Sequence, residues 1–151
     1  MHAPILVFST DANETLHFDE DEILELAKIQ VPSADYATEE DHTAFNGVEE
    51  LFYKKGSYKN CVMHLSADEV KELQAIEIKN IRDSLKAMQD QSDKELLDHI
   101  FLARFISGDR YGVLFIKADT AGVYTYREFI ASLDDNKDAD LHLIQGFDYH
   151  F

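Results

Sequence analysis

Hydrophobic residues recur along this chain in two patterns, and each pattern predicts one kind of secondary structure. Short apolar runs bounded by polar turn residues predict β-strands. One of them, His99–Ile106, also fits a buried helix, but the tight connection that follows at Ser107–Arg110 favours a strand. The predicted strands are Pro4–Ser9, Thr15–Phe18 (returning as a hairpin), Lys59–Leu65, His99–Ile106, Tyr111–Ala118, Val123–Tyr126 and Leu141–Phe147.

Apolar residues spaced three and four positions apart predict the helices. The strongest prediction is a helix over about 67–90, since Ser66-x-x-Glu69 forms a capping box directly before a helical apolar stripe. Asp19-x-x-Glu22 has the same spacing and predicts a helix that ends near Pro32. The polar stretch Pro32–Glu40 is predicted to be an exposed loop. Further helices are predicted over about 41–54, after Ser92 and over Arg127–Leu133.

These elements together predict an α+β fold with a mainly antiparallel sheet, a long amphipathic helix over about 67–90 and two or three shorter helices. A chain of 151 residues fits a single domain, here 1–151. The longest purely apolar runs have four residues, whereas a membrane span needs about 20, so no membrane contact is predicted. No signal peptide is visible, and the one cysteine, Cys61, cannot form an internal disulfide. Both observations favour a reducing, cytoplasmic location.

Charge changes this picture more than any motif does. The chain has 30 acidic and 14 basic residues, a formal net charge of −16. The N-terminal third, 1–53, has thirteen acidic residues and one basic residue, a net charge of −12. The C-terminal segment 132–151 has a net charge of −4, and the residues between the two are neutral overall. The excess negative charge is therefore confined to the two ends of the sequence.

Three interpretations of this charge are open, of which a halophilic surface is disfavoured by the ten lysines and the ordinary apolar content. A high net charge keeps a small protein dispersed, and acidic residues are favoured in the first turn of a helix. Alternatively, the acidic residues form a surface that attracts a basic partner, such as the site where an enzyme neutralises phosphates with Lys and Arg. The candidate partner-binding residues are Asp19, Glu20, Asp21, Glu22, Glu39, Glu40, Asp41, Glu49 and Glu50.

Direct nucleic-acid binding by the chain alone is disfavoured by the same charge. The one basic and aromatic cluster that could oppose this prediction is short. It consists of Tyr53, Lys54, Lys55, Tyr58 and Lys59, and a solvated loop explains it more simply than a nucleic-acid site.

His64 is the best candidate for catalysis. His64-x-Ser66 matches half of the paired signature of two-histidine phosphoesterases, in which histidine transfers a proton while the hydroxyl holds phosphate. The second half is missing, because His142 and His42 are followed by other residues. Ser66 is also needed as the helix cap, so no catalytic residue is assigned.

A calcium loop is the other candidate site. Asp134, Asn136, Asp138 and Asp140 alternate as calcium ligands do, but Ala139 replaces the glycine of the turn and Gln145 replaces the closing glutamate. A solvated Asp-rich turn is the preferred interpretation. The seven histidines are never spaced three or four residues apart, and Cys61 is interpreted as an inert thiol inside a strand. No metal and no cofactor is predicted.

Aromatic residues alternate at the C-terminal end of the last predicted strand. Phe147, Tyr149 and Phe151 fall on one face of an extended chain. They are interpreted as packing at a strand edge. If they are exposed instead, they would suit a partner or a homodimer contact.

Residues 81–126 resemble part of the bacterial nucleoid-associated protein family. A helix ending at Ser84–Met88 leads into Ile100–Phe105, and after a short turn come Tyr111–Lys117 and Val123–Tyr126. The resemblance implies an association with DNA or with its machinery. It transfers no functional residue to this chain.

The preferred hypothesis is a non-enzymatic acidic protein that occupies the basic site of a nucleic-acid-handling partner, as phage-type inhibitors of restriction, CRISPR or nucleases do. A nucleoid-associated or scaffold protein that acts through oligomerisation is the first alternative. A small phosphoesterase that uses His64 is the second.

Overall fold

A computed structural model of the protein describes residues 2–96 and 112–151. The strands are β1 His2–Ser9, β2 Tyr36–Glu40, β3 Ser57–Lys59, β4 Val62–Leu65, β5 Leu114–Lys117, β6 Gly122–Thr125 and β7 Ala139–His150. The helices are α1 Glu20–Gln30, α2 Val48–Leu51, α3 Ala67–Gln89, α4 Asp93–Leu96 and α5 Tyr126–Ala131, with a 3-10 turn at His42–Ala44. The predicted strand His99–Ile106 and the turn Ser107–Arg110 lie outside the described residues.

All seven strands form one sheet, and β7 is its central strand. On one side β7 pairs with β1, and the sheet continues through β5 to β6. On its other side β7 pairs with β4 through Ala139–His142 and with β2 through Gly146–His150, so β4 and β2 lie end to end. In the described residues, β1 and β5 are the one parallel pair. The fold is α+β with a mostly antiparallel sheet, which confirms the predicted class.

Helices cover both faces of the sheet. On one face of the sheet, α2, α3 and α5 bury a cluster that includes Phe8 and Phe115. We call this side the aromatic face. Phe115 stacks on Phe129 with ring centroids 4.6 Å apart. On the opposite face, the α1 face, α1 covers a second cluster that includes Ile5 and Tyr149. The sheet is therefore the middle layer of three.

A β-bulge in β7 makes this arrangement possible. Val7 pairs with Gln145 and Phe8 pairs with Leu143, so Ile144 has no opposite residue in β1. The extra residue reverses the side-chain alternation. Leu143 consequently packs on the aromatic face, whereas Phe147 and Tyr149 pack on the α1 face.

The C-terminal aromatic residues therefore do not form an exposed strip. Phe147 and Tyr149 are 0% exposed, and the Tyr149 hydroxyl donates a hydrogen bond to the carbonyl of Gly112 at 2.6 Å. Phe151 is half-buried and stacks on Tyr149. The prediction of a strand edge was wrong because β7 has neighbours on both sides.

The predicted loop at Pro32–Glu40 was also wrong. Its second half is β2, which forms because β7 continues to His150 and offers a ladder partner. Ala37 is the one buried residue of β2, so the sequence has no visible apolar alternation there. Thr15–Phe18, in contrast, is not a strand. The backbone N–H and C=O of Phe18 bond instead to the buried Gln145 amide at 2.8 and 3.1 Å.

Two other predicted elements are interrupted by turns. The helix predicted over 41–54 consists of the 3-10 turn and α2, separated at Gly47, whose φ of 82° is left-handed. The strand predicted over Lys59–Leu65 is a hairpin, because Asn60 and Cys61 both have a positive φ and make the turn between β3 and β4. Cys61 is thus a half-buried turn residue and not part of a strand.

The remaining predicted elements are present with changed lengths, the largest being in β7, which extends from Ala139 to His150 instead of from Leu141 to Phe147. The long helix α3 begins with the Ser66 and Glu69 capping box and ends at Gln89, as the periodicity predicted. β5 lies inside its predicted range, β6 begins and ends one residue earlier than predicted, and α5 begins one residue early, at Tyr126. Among the described helices, none is both long enough and apolar enough to cross a membrane.

Candidate acidic interaction surface

The nine acidic residues singled out in the sequence all lie on the surface of the molecule, and each is exposed. They lie on β2 or on the elements next to it in the chain. These elements are the start of α1, β2, the 3-10 turn and α2. The sheet divides the acidic residues into two groups. We call the group next to α1 the α1 patch and the other the α2 patch. The α1 patch consists of Asp19, Glu20, Asp21, Glu22 and Glu39, and the α2 patch of Glu40, Asp41, Glu49 and Glu50.

Local hydrogen bonds hold the α1 patch in place. The Asp19 carboxylate accepts from the Glu22 N–H at 2.8 Å, and the Glu22 carboxylate accepts from the Asp19 N–H at 3.0 Å. This capping box explains why α1 begins at Glu20. The Glu20 carboxylate accepts from the Glu39 N–H at 2.9 Å and so joins the start of α1 to β2.

The Glu39 carboxylate is anchored by the buried core amide. Its Oε1 accepts a hydrogen bond from Gln145 Nε2 at 3.0 Å. Since Gln145 also bonds to the backbone of Phe18, one amide ties the segment before α1, β2 and β7 together. The position of the α1 patch is thus determined by tertiary contacts and not by helix capping alone.

The α2 patch lies on the other side of the sheet. Side chains alternate along β2, so Glu40 points to the face opposite Glu39. Asp41 caps the 3-10 turn by accepting from the N–H and the hydroxyl of Thr43, at 3.0 and 2.6 Å. These hydrogen bonds, the hydroxyl first, lower the pKa of Asp41 below the usual range of an aspartate.

The two glutamates of α2 also have local partners. Glu49 Oε1 accepts from the Tyr58 N–H at 2.9 Å. Glu50 Oε1 pairs with Lys54 Nζ at 3.0 Å. Of the nine acidic residues, Asp21 and Glu40 are the two for which no hydrogen bond or ion pair is found among the described contacts. Seven carboxylates therefore also have structural roles, which is what the solubility and capping interpretation expects.

No lysine or arginine of the N-terminal third pairs with the two patches, although His17 Nε2 lies 3.8 Å from Glu39 Oε2. Lys28 is the one basic residue of 1–53, and its Nζ pairs with Glu25 Oε1 at 2.7 Å on the other half of α1. The acidic character of this part of the surface is therefore not cancelled by its own sequence region.

Two of the three lysines in the basic and aromatic cluster near α2 are paired with glutamates. Lys54 pairs with Glu50, and Lys55 pairs with Glu72 of α3 at 2.5 Å. The Tyr53 hydroxyl donates to the buried Glu77 carboxylate at 3.1 Å. Burial, and then the adjacent Cys61, raises the pKa of Tyr58. These side chains hold α2 and β3 against α3.

His64 has a partner that the sequence did not reveal. His64 and Asp140 face each other across β4 and β7, and His64 Nδ1 lies 2.6 Å from Asp140 Oδ1. Both side chains border a surface cavity of about 430 Å³ whose other lining residues include Ser57, Ser66 and Glu69. Ser66 caps α3 as predicted. Among the described residues, no Lys or Arg, the residues that would hold a phosphate, lines this cavity.

The candidate calcium ligands do not converge. Asp134 accepts from the N–H of Asn136 at 3.0 Å, which lowers the pKa of Asp134. Asp138 accepts from the Ala67 N–H at 2.9 Å, and Asp140 is paired with His64. In residues 2–96 and 112–151, no group of three or more His, Cys, Asp and Glu side chains is arranged to hold a metal ion.

A cluster around His2 and His150 was not predicted from the sequence. His2 lies 2.7 Å from Asp148, His150 lies 2.8 Å from Asp35, and the Tyr36 ring stacks on His150 with centroids 5.3 Å apart. The hydrogen bond to His150 lowers the pKa of Asp35. These residues come from β1, β7, β2 and the position just before β2, so their spacing in the sequence gives no signal that they meet.

Comparisons with known protein families, with curated proteins and with solved structures found no match for this chain. The resemblance to nucleoid-associated proteins consequently remains a prediction, and Ile100–Phe105, which carries part of it, lies outside the described residues.

Proposed function

We propose that this protein is a non-enzymatic binding protein whose two acidic patches engage a basic protein surface. The partner we favour is an enzyme that handles nucleic acid, with the carboxylates placed where phosphates would otherwise lie. One observation carries the proposal: nine acidic residues from four consecutive elements are all exposed around β2. The structural roles of seven of them are compatible with this, because a carboxylate that accepts one hydrogen bond keeps its charge.

Neutralising the patches without altering their shape tests the proposal. We would replace four acids by their isosteric amides, which can still accept the local hydrogen bonds. The variant is Glu20→Gln, Asp21→Asn, Glu40→Gln and Glu50→Gln. A control variant loses the same number of charges from exposed positions on α3, α4 and the turn after β5. It is Asp68→Asn, Asp90→Asn, Asp93→Asn and Asp119→Asn.

The measurement is affinity capture from nuclease-treated host lysate at low and high salt, read by mass spectrometry, followed by binding assays with the purified partner. We expect wild type and control to capture a nucleic-acid enzyme that elutes with salt, and the patch variant to bind it at least about 10-fold more weakly. Duplex DNA or RNA should compete with the protein for that partner. Equal binding by both variants would refute the mimic, and a salt-resistant partner or self-association alone would favour the scaffold alternative.

The His64–Asp140 pair supports a second candidate, a small phosphoesterase. A carboxylate 2.6 Å from one ring nitrogen orients a histidine so that the other nitrogen can transfer a proton. The absence of Lys and Arg from the cavity lining counts against a phosphate substrate. Turnover of a panel of phosphomonoesters and phosphodiesters that is lost in both His64→Ala and Asp140→Asn would establish this activity. No turnover by wild type would exclude it for that panel.

A further inference from the structure

The outer edge of β2 has no strand partner among the described residues. β2 pairs with β7 on one side, and no other described strand pairs with it. Four of its five residues are exposed, and Ala37 is the exception. An unpaired edge presents backbone N–H and C=O groups that can bond to another extended chain.

The hydrogen bond from Glu39 identifies which groups face outwards. The Glu39 N–H donates to the Glu20 side chain, so it points away from β7. In an antiparallel ladder the backbone groups of alternate residues point to the same side. The N–H of Ala37 therefore lies on the same outer edge as that of Glu39.

The other two edges of the sheet are covered differently. The Tyr58 N–H on β3 donates to Glu49, and β3 has only three residues. On β6, the Val123 carbonyl accepts from Gln30 at 3.3 Å, as α1 packs beside it. On β2, the group that covers the outward N–H of Glu39 is the exposed carboxylate of Glu20. A cation can pair with that carboxylate and release the N–H beneath it.

The charge around this edge selects the occupant. Glu20 and Glu39 flank it on the α1 face, and Glu40 and Asp41 follow on the other. A second copy of this chain would bring another acidic strand to this edge, and repulsion between the like charges would oppose the pairing. A strand with Lys or Arg at alternate positions would instead pair with them.

We infer that β2 is the docking edge for an extended basic segment of the partner, which adds to the sheet as a further strand beside Tyr36–Glu40. The inference rests on the proposed function and names the form of the partner segment. Backbone hydrogen bonds would give the segment its alignment, and the acidic patches would select its charge.

The probe for this inference is a capped 11-residue peptide of alternating Lys and Thr. A matched peptide with the same charge has every backbone nitrogen methylated, so that neither edge can donate hydrogen bonds. We expect the unmodified peptide to bind in a salt-sensitive manner and the methylated peptide to bind about 10-fold more weakly. On binding, amide hydrogen exchange at Ala37 and Glu39 should slow by about 10-fold or more, whereas Thr38, already paired with β7, should change little.

Two protein variants separate charge from backbone bonding. Glu39→Gln removes the charge alone, while Glu39→Pro removes the charge and the outward N–H, a substitution that edge strands tolerate. Glu39→Pro should bind the peptide about 10-fold more weakly than Glu39→Gln. The exchange measurement on wild type keeps the test decisive if Glu39→Pro does not fold.

Each other outcome overturns the inference. Equal binding of both peptides with unchanged exchange at Ala37 and Glu39 would leave the proposed function intact and refute strand addition. If exchange at these two amides slows as the protein concentration rises, with no peptide present, the segment that docks on β2 is a second copy of the chain. No binding of either peptide would also refute the inference, while the lysate capture decides the proposed function separately.

Discussion

The two layers that cover the sheet bury different kinds of side chain. The cluster on the aromatic face includes Phe8, Phe52, Phe115 and Phe129, and it contains no alanine among its fully buried residues. The cluster on the α1 face contains five alanines, on β1, α1, β2 and the segments around them. Small side chains let a helix lie close to the sheet. The helices on the aromatic face therefore pack through larger side chains than α1 does at its five alanine contacts.

This difference suggests a division of roles. The aromatic face joins α2, α3 and α5 by large apolar contacts and by the buried ion pair between Glu77 and Arg127. The α1 face is joined to β2 by polar contacts of Glu20 and Gln145. We expect substitutions on the first face to change stability most, and substitutions at the exposed acids of the second to change partner binding with little effect on stability.

The largest effect should come from removing an aromatic ring. Phe115→Ala should lower the free energy of unfolding by about 4 kcal/mol, because Phe115 is 0% exposed and its ring packs on Phe129. Ile23→Ala in α1 should cost about 2–3 kcal/mol. Urea denaturation followed by circular dichroism measures both. A cost for Ile23→Ala equal to that of Phe115→Ala would contradict the comparison.

A smaller loss is expected from the ion pair under α5. Arg127 Nε lies 3.1 Å from Glu77 Oε2, and Glu77 is 7% exposed. Arg127→Met keeps the apolar stem but leaves a buried carboxylate with only Tyr53 and Asn80 as described partners, so it should cost roughly 2–3 kcal/mol. The double variant with Glu77→Met should recover part of this loss. A cost below about 0.5 kcal/mol would show that Glu77 is not held by Arg127.

The start of α3 should make stability depend on pH. The Glu69 carboxylate accepts from the N–H groups of Ser66 and Gly56, both at 2.9 Å, and these bonds lower its pKa in the folded protein. Gly56 has a left-handed φ of 71°, and a Cβ there would collide with the His64 carbonyl. This position of the contact therefore requires glycine.

A lowered folded pKa fixes the sign of the pH effect. The ionised carboxylate stabilises the fold above the unfolded pKa of a glutamate, about 4.3, and the contribution is lost as pH falls through the lower folded value. Glu69→Gln should therefore cost about 1 kcal/mol at neutral pH and progressively less in acid. Urea denaturation of both proteins across this range gives the difference directly. A difference that grows in acid would contradict the assignment.

The smallest effect on stability is expected from the acidic patches. The four-amide variant should unfold within about 0.5 kcal/mol of wild type, and its lower net charge reduces self-repulsion at low salt. A loss above about 1 kcal/mol would show that these carboxylates act mainly as structural caps. Thermal and urea denaturation at low and high salt distinguish the two results.

Much of the fold was predictable because its signals are local. The capping boxes at Asp19 and Ser66 marked where α1 and α3 begin, and the apolar run in β5 marked a strand. The errors arose where the deciding contact is distant in sequence. β2 depends on pairing with His150, and the segment before α1 depends on the Gln145 amide.

The candidate site divides in the same way. The sequence identified the nine acidic residues and the sign of their charge, which depends on composition alone. It could not show that the sheet separates them into two patches or that, among the described strands, only β7 pairs with β2. Nor could it pair His64 with Asp140, since 76 positions separate them along the chain.

The sequence by itself thus determined the secondary-structure periods, most helix starts and the concentration of negative charge in 1–53. Only the tertiary structure decided that β7 is central, that its bulge sends Leu143 and Phe147 to opposite faces, and that the acids surround β2. The physical reason is that capping and periodicity act between residues a few positions apart. Strand pairing and burial act between residues that meet only after the chain has folded.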